Sequence, residues 1–405
     1  NRRMMRIFLL AVMTAALGAA NSGAVDVDIV KSGAGKTALD ISGFKAIPGP
    51  DVKSFMITLK NDLKRSGWFR ISKPGQAGVY VGGYCRSSGG TLSVNCIVSL
   101  NAPKKTYLKK DFRGSAAKAR TLAHTVADEI VRAVKGVPGI AGTRIVMVGA
   151  HSGRKEIYIC DSDGGNLKRL TNRGSICVSP NWGPMAKKLI YTSFHGGFPD
   201  VYMFDFETRK QTKISGYPGV NVSADMSPDG RRIALTLSRD GNPELYIKDI
   251  VSDKLSRITR TPRAAEAAPA WSPDGKKIVF VSDRSGSPQL YVVSASGGRE
   301  KRISYRGREN VSPDWGPNGM IAYSSRREGR YQVCIMDSKG RKRRQITNDQ
   351  ADYEDPSWAP DGRHIICGRT EKYRSALYIL DTMNDPPVRL LARSGDWYSP
   401  AWSPR

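Results

Sequence analysis

From residue 141 onward the chain alternates short apolar runs with polar turns, and the alternation repeats at a fixed length. The clearest copy is Trp271-Ser272-Pro273-Asp274-Gly275, then Ile278 to Val281, then Leu290 to Val293. The anchor position is held in turn by Trp182, Met226, Trp271, Trp315, Trp358 and Trp402, at spacings of 44, 45, 44, 43 and 44 residues. A Pro that presets φ and a Gly that tolerates positive φ make Pro-Asp-Gly a reversal between two strands. A third, weaker run (Arg257 to Thr259, Arg302 to Ser304) closes each unit. With the anchor strand, each unit has four strands, and four-stranded units repeated at this period predict a propeller.

Three strands precede the first anchor without an anchor strand of their own: Ile145 to Val148, Ile157 to Cys160 and Leu167 to Leu170. The strand ending at Trp402 is therefore expected to complete the first blade. The prediction is a six-bladed all-β propeller over 141–405, closed by a three-plus-one strand clasp that removes exposed sheet edges.

Residues 25–140 follow a different pattern. Val27 to Lys31 and Leu39 to Ile41 read as strands, and Val52, Phe55, Met56, Leu59 and Leu63 fall at helical spacing within 51–66, with Gly67 as a stop. Tyr80 to Leu100 reads as a hairpin around Gly89-Gly90. A second helix over 115–134 carries Ala119, Leu122, Val126, Ile130 and Val134 on its apolar face. The fold class is multidomain, with a small N-terminal α/β domain ahead of the propeller. Residues 1–24 read as a signal peptide: Arg2, Arg3 and Arg6 precede the apolar run Ile7 to Leu17, with cleavage after Ala20 or Ala24. The run is too short to span a bilayer, so the mature chain is expected to be exported, with no transmembrane segment.

Charge changes the picture less than its size suggests. Lys and Arg number 64 against 37 acids, a formal net charge of +27. The basic residues are scattered over predicted turns, with no aromatic-interleaved stripe, which argues against a nucleic-acid partner and for a solvated basic surface beside anionic envelope polymers.

Most motifs with possible chemistry are incomplete. Lys31 to Thr37 imitates a phosphate-binding loop, but Val30 stands where its first Gly belongs. Asp161 to Asn166 starts like a calcium loop and lacks the distal Glu, so it reads as a turn. The four histidines, His124, His151, His195 and His364, are widely separated, and no catalytic residues, metal site or cofactor are expected. Cys85 and Cys96 fall on opposite arms of the hairpin near register, which makes them a disulfide candidate in an oxidising compartment. One asymmetry is left. The residues leading into the later anchors, at the expected channel mouth, are acidic or polar: Glu266, Glu309, Asn310, Asp352, Glu354, Asp355 and Asp396.

With these parts in place the chain resembles the TolB family of the Tol-Pal envelope system. The resemblance is carried by Asn61-Asp62-Leu63-Lys64-Arg65-Ser66-Gly67-Trp68-Phe69, by Leu122 to Ile130 and by Gly142-Thr143-Arg144-Ile145, in this order before the blades. It implies a periplasmic, non-enzymatic protein whose propeller mouth binds the lipoprotein Pal. It also implies that the N-terminal segment and α/β domain communicate with TolA, in the service of outer-membrane integrity and cell division. Other outer-membrane, periplasmic or peptidoglycan-associated partners fit the same picture. The family's partner contacts cluster three to six positions before each anchor, which maps here to Val220, Ser223, Glu266, Ala267, Ala268, Glu309, Ser312, Asp352, Glu354, Asp355 and Asp396. Met226 in place of Trp, and Ala267-Ala268 where polar contacts are expected, depart from the pattern. Two other readings are the propeller of a periplasmic hydrolase or peptidase and a basic scaffold for anionic envelope polymers.

Overall fold

The computed structural model describes residues 35–47, 49–100, 105–150, 153–392 and 395–405. The leader expected at 1–24, the strand expected at Val27 to Lys31, the start of the Lys31 to Thr37 loop and His151 lie outside them.

The N-terminal unit is a five-stranded mixed sheet covered on one face by two helices. Its strands are β1 (Thr37–Ala46), β2 (Phe69–Ile71), β3 (Val79–Ser88), β4 (Thr91–Leu100) and β5 (Lys105–Ser115), in the order β2-β1-β3-β4-β5. β1 runs parallel to β2 and β3, which the helix α1 (Pro50–Arg65) makes possible by carrying the chain back between β1 and β2. Helix α1 starts on a Pro, has Asp51 in its first turn and Lys64 and Arg65 in its last, and buries Val52, Phe55, Leu59 and Leu63 against the sheet. Helix α2 (Ala119–Lys135) buries Ala123, Val126, Ala127 and Ile130 in the same core and ends on Gly136 at φ +70. It begins four residues later than the pattern predicts, because Ser115 still pairs with Thr91 as the last rung of β5. Gly89 and Gly90, both at positive φ, make the two-residue turn between β3 and β4.

That hairpin corrects the disulfide expectation. Cys85 lies opposite Val94 and Cys96 opposite Gly83, so the two are diagonal neighbours, about 7–8 Å apart between Cα atoms. A disulfide needs less than about 7 Å. Both are buried free thiols, and burial pushes Cys85 up to about 11 and Cys96 to about 12.

The remaining chain forms six four-stranded antiparallel sheets arranged as a propeller. In the first, Trp397–Trp402 pairs with β6 (Arg144–Gly149), followed by β7 (Glu156–Asp161) and β8 (Lys168–Arg169), which is the three-plus-one closure the repeat predicts. The innermost strands of blades 2 to 6 are Cys177–Trp182, Asn221–Met226, Glu266–Trp271, Asn310–Trp315 and Asp352–Trp358.

The repeat motif has a local cause. In Ser272 to Lys277 the Ser272 hydroxyl donates to Asp274 Oδ1 (2.6 Å) and accepts the Lys277 N–H (2.9 Å), while Gly275, at φ +66, returns its N–H to the Ser272 carbonyl. The anchors then tie blades together. Trp182 Nε1 donates to the Ala401 carbonyl (3.0 Å) and Trp271 Nε1 to that of Asp225 (3.1 Å), each in the preceding blade. Side chains one position before the anchors add a second row of stitches. Asp225 Oδ2 accepts the Trp271 N–H (2.7 Å), Asp314 Oδ2 the Trp358 N–H (2.6 Å) and Ser357 Oγ the Trp402 N–H (3.1 Å). Burial pushes Asp225 up to about 8 and Asp314 to about 6.

The two units meet where the hairpins after the innermost strands emerge, at blades 1 and 6. Arg120 pairs with Asp163 (2.7 Å), Lys36 with Asp385 (2.5 Å) and Arg405 with Asp128, while the Arg363 guanidinium stacks 4.5 Å from the Trp68 ring. The opposite end of the propeller, where the innermost strands begin, is not covered by the described α/β residues. Among the described residues no helix is long and apolar enough to cross a membrane.

Candidate mouth of the propeller

Each innermost strand carries the same irregularity. Ser179, Ser223, Ala268, Ser312, Asp355 and Ser399 stand three positions before the six anchors, and all have φ between +41 and +51. At each of them the pairing with the next strand slips by a residue. The result is a ring of six bulges, which bend the strands and re-aim side chains at the channel entrance. In five blades the next residue is Pro (Pro180, Pro269, Pro313, Pro356, Pro400), which has no N–H to give the ladder.

The bulges sort the expected mouth residues into two groups. The position two residues before each bulge is buried in every blade: Cys177, Asn221, Glu266, Asn310, Tyr353 and Trp397. Glu266 is therefore not at the mouth surface. It is fully buried, accepts from Ser282 Oγ (3.1 Å) and Arg284 Nη2 (3.0 Å), and is pushed up to about 7 by burial, against the pull of Arg284. Glu309 is held by Tyr331 Oη (2.5 Å) and Arg326 Nη1 (3.3 Å), and Asp352 by Arg330 Nη1 (2.8 Å) and the Tyr331 N–H (2.9 Å). Asp396 accepts the Ser375 N–H (3.1 Å), and the Val220 N–H is bound by Ser238 Oγ (2.8 Å). These residues brace the loops. Of the acids expected ahead of the later anchors, Glu266 is thus withdrawn into the blade and Glu309, Asp352 and Asp396 are tied to neighbouring loops.

What faces the entrance is asymmetric. Asp355 is clamped between neighbouring blades, with Ser312 Oγ donating to Oδ1 and Ser399 Oγ to Oδ2, both at 2.7 Å. Beside it, Glu354 is pushed up to about 8 by burial, with repulsion from Asp355 and Asp352 adding to the shift. Lys155 lies 5.1 Å from the Tyr398 ring, and burial lowers its pKa while Asp355 opposes that. The positions matching Glu354 in blades 2 to 5 are Val178, Val222, Ala267 and Val311. At this position the acidic charge is therefore confined to one side of the entrance. Around it, loops at the same end expose Ile176 (45%), Phe198 (72%), Tyr305 (68%) and Tyr373 (86%), large side chains of the kind that anchor protein interfaces.

The raised Glu354 carboxyl makes stability depend on pH. Its folded value lies above the ordinary 4.5, so folding takes up a proton between about pH 4.5 and 8, and stability falls as the pH rises through that window. Glu354→Gln, neutral throughout, is expected to melt at a Tm that gains on the parent's from pH 5 to pH 8.5 and then levels off. Parallel thermal melts at the two pH values check the sign.

Comparison with known proteins places these features in context. A family model described as the TolB beta propeller domain matches residues 131–405. A TolB homolog of Chlorobium chlorochromatii is 35% identical over 113 residues, 28% of this chain and 26% of that protein. The Tol-Pal system protein TolB of Anaeromyxobacter dehalogenans is 33% identical over 168 residues, 42% and 36% of the two chains. The alignments thus span about a quarter to a third of these curated relatives. The crystal structure of TolB from Acinetobacter baumannii superposes with a TM-score of 0.81 at 27% identity, over 91% of this chain and 97% of that one.

Proposed function

The chain belongs to the TolB β-propeller family, and from that premise we propose that it is a non-enzymatic, periplasmic adaptor of the Tol-Pal system that binds Pal at the propeller mouth. The observation that carries this reading is the uncovered entrance itself. An acid clamped between two blades stands next to apolar positions and is ringed by exposed Phe198, Tyr305 and Tyr373. A rigid apolar rim supplies affinity, and a localised charge supplies orientation and partner choice. The α/β domain sits at the far end, free to meet TolA while Pal occupies the mouth. In this account Pal binding at the mouth and TolA contact at the α/β domain are coupled, and such coupling must run equally in both directions.

Calorimetric titration of the mature chain with the soluble domain of Pal from the same organism tests the reading. Saturable one-to-one binding is expected, weakened about tenfold or more in a Phe198→Ala, Glu354→Ala variant that melts like the parent. Absence of saturable binding by the parent would overturn it.

A further inference from the structure

The sequence scatters its basic residues, but folding gathers five of them on one face of the α/β domain. The helices α1 and α2 cover the sheet face that carries Val81, Val94 and Phe112, and no helix or strand among the described residues packs on the other. Strand pairing lays out that open face in rows. Lys45 stands beside Tyr84, Asn95 and Asp111, Gly43 beside Gly82, Ile97 and Lys109, and Arg86 beside Ser93 and Arg113, while Arg70 pairs with Ala38 at the β2 edge. The residues that hold the propeller, Lys36, Trp68, Arg120 and Asp128, lie elsewhere on the domain.

The charge of this face is what points to a partner. Lys45, Arg70, Arg86, Lys109 and Arg113 are all exposed, and among the described residues none of them is in an ion pair. The nearby acids are already engaged. Asp40 is buried and accepts the Ser42 and Gly75 N–H groups, both at 2.8 Å, and Asp111 accepts from Asn95 Nδ2 (2.7 Å). Other lysines of the fold find carboxylates, as Lys110 does with Glu129 and Lys213 with Asp200, whereas these five cations only repel one another. Inside their ring the surface is partly apolar. The Tyr80 ring lies across Gly43 and Gly82, which leaves no room for a Cβ at either, and Tyr84 (40% exposed) and Ile97 stand next to it. An aromatic and apolar centre within a charged rim is how a protein interface is built.

We propose that this face docks an acidic protein segment, whose carboxylates meet the five cations and whose apolar or aromatic residue covers Tyr84 and Ile97. A single-stranded nucleic acid fits less well, because the Arg86 guanidinium lies over the Tyr84 ring, 6.0 Å from its centroid, where a base would stack. That guanidinium keeps N–H groups to give to a carboxylate. A protein segment can also set a neutral residue opposite Asp111, whereas an anionic lipid surface is negative everywhere. The face lies away from the mouth, so the inference stands whether or not Pal binds there.

The test follows, by fluorescence anisotropy at low ionic strength, the binding of a labelled peptide of about ten residues, alternating Glu with Val and Phe, to the full mature chain. Saturable binding is expected, weakened about tenfold or more by Arg86→Glu with Arg113→Glu. Lys210→Glu with Lys339→Glu makes the same charge change on the propeller and is expected to leave binding unchanged. Tyr84→Ala keeps the charge and is expected to weaken binding about fivefold or more, which attraction at a distance alone would not produce. All these positions are exposed, so the variants should melt like the parent. No saturable binding by the parent, an equal loss in the two charge-reversed variants, or binding unaltered by Tyr84→Ala would overturn the proposal. So would tighter binding of a thymidine oligonucleotide or of phosphatidylglycerol vesicles that is lost in the Arg86→Glu, Arg113→Glu variant, because the face would then serve that ligand.

Discussion

A chain ended at Asp396 is expected to lose the cooperative unfolding transition of the propeller. Its missing residues include Trp397–Trp402, the strand that pairs with β6 and completes the first blade. Trp397 and Trp402 are 1% and 4% exposed, and truncating a buried Trp costs about 3–5 kcal/mol. The hydrogen bonds that disappear with this strand reach well beyond one sheet. Trp402 Nε1 donates to Thr143 Oγ1 (2.8 Å), the Ala401 carbonyl accepts from Trp182, and Ser403 exchanges hydrogen bonds with Arg144. Removing the two Trp side chains alone approaches the whole stability of a typical domain, about 5–15 kcal/mol, and the blades on both sides of the gap are left with unpaired edges. Thermal melts followed by circular dichroism check this, and a truncated chain melting within a few degrees of the parent would show that the clasp is dispensable.

The second large effect is expected at Asp128, on α2. Its side chain is 2% exposed, yet it accepts the Ala141 N–H (2.8 Å), the Gly142 N–H (2.9 Å) and the Arg405 guanidinium. One carboxylate thus joins the α/β domain, the connection to the propeller and Arg405. Asp128→Ala leaves one buried N–H, one partly buried N–H and a cation without their acceptor, an arrangement worth about 3–5 kcal/mol. Arg405→Ala removes only the partly exposed member and is expected to cost about 1 kcal/mol. Urea denaturation of the two single variants and the double variant checks both figures. The double variant should fall short of their sum, because the pair is coupled.

Much of the propeller is legible in the sequence because its signal is repeated. Six anchors at near-constant spacing and a turn built from Ser, Pro, Asp and Gly leave few alternatives, and the unpartnered strands at 145–170 require a late strand to close the ring. The α/β domain shows itself through its helices and the β3–β4 hairpin, whereas β5 escapes the pattern. Only Phe112 of that strand is buried, and its lysines give the polar look of a sheet edge, so it has no apolar alternation to detect.

The mouth is legible as a place and not as a chemistry. The spacing locates the segments before the anchors, but a bulge changes which residues face the entrance, and so Glu266 and Glu354, both acids just before an anchor, end in opposite roles. The Pro that follows the bulge in five blades is the available clue. The disulfide fails on a two-residue offset that near-register spacing does not resolve. The basic face of the α/β sheet draws Lys45, Arg70, Arg86, Lys109 and Arg113 from four strands, so it depends on register, which no local pattern encodes.

If the partner surface lies at the open end of the propeller, opposite the α/β domain, hydrogen–deuterium exchange of the mature chain with and without the soluble domain of Pal will locate it there. Slowed exchange is expected in the mouth loops at 174–178, 194–199, 304–309 and 371–374. Protection confined to α1, α2 and the hairpins they touch, with those loops unchanged, would contradict a partner surface at the mouth.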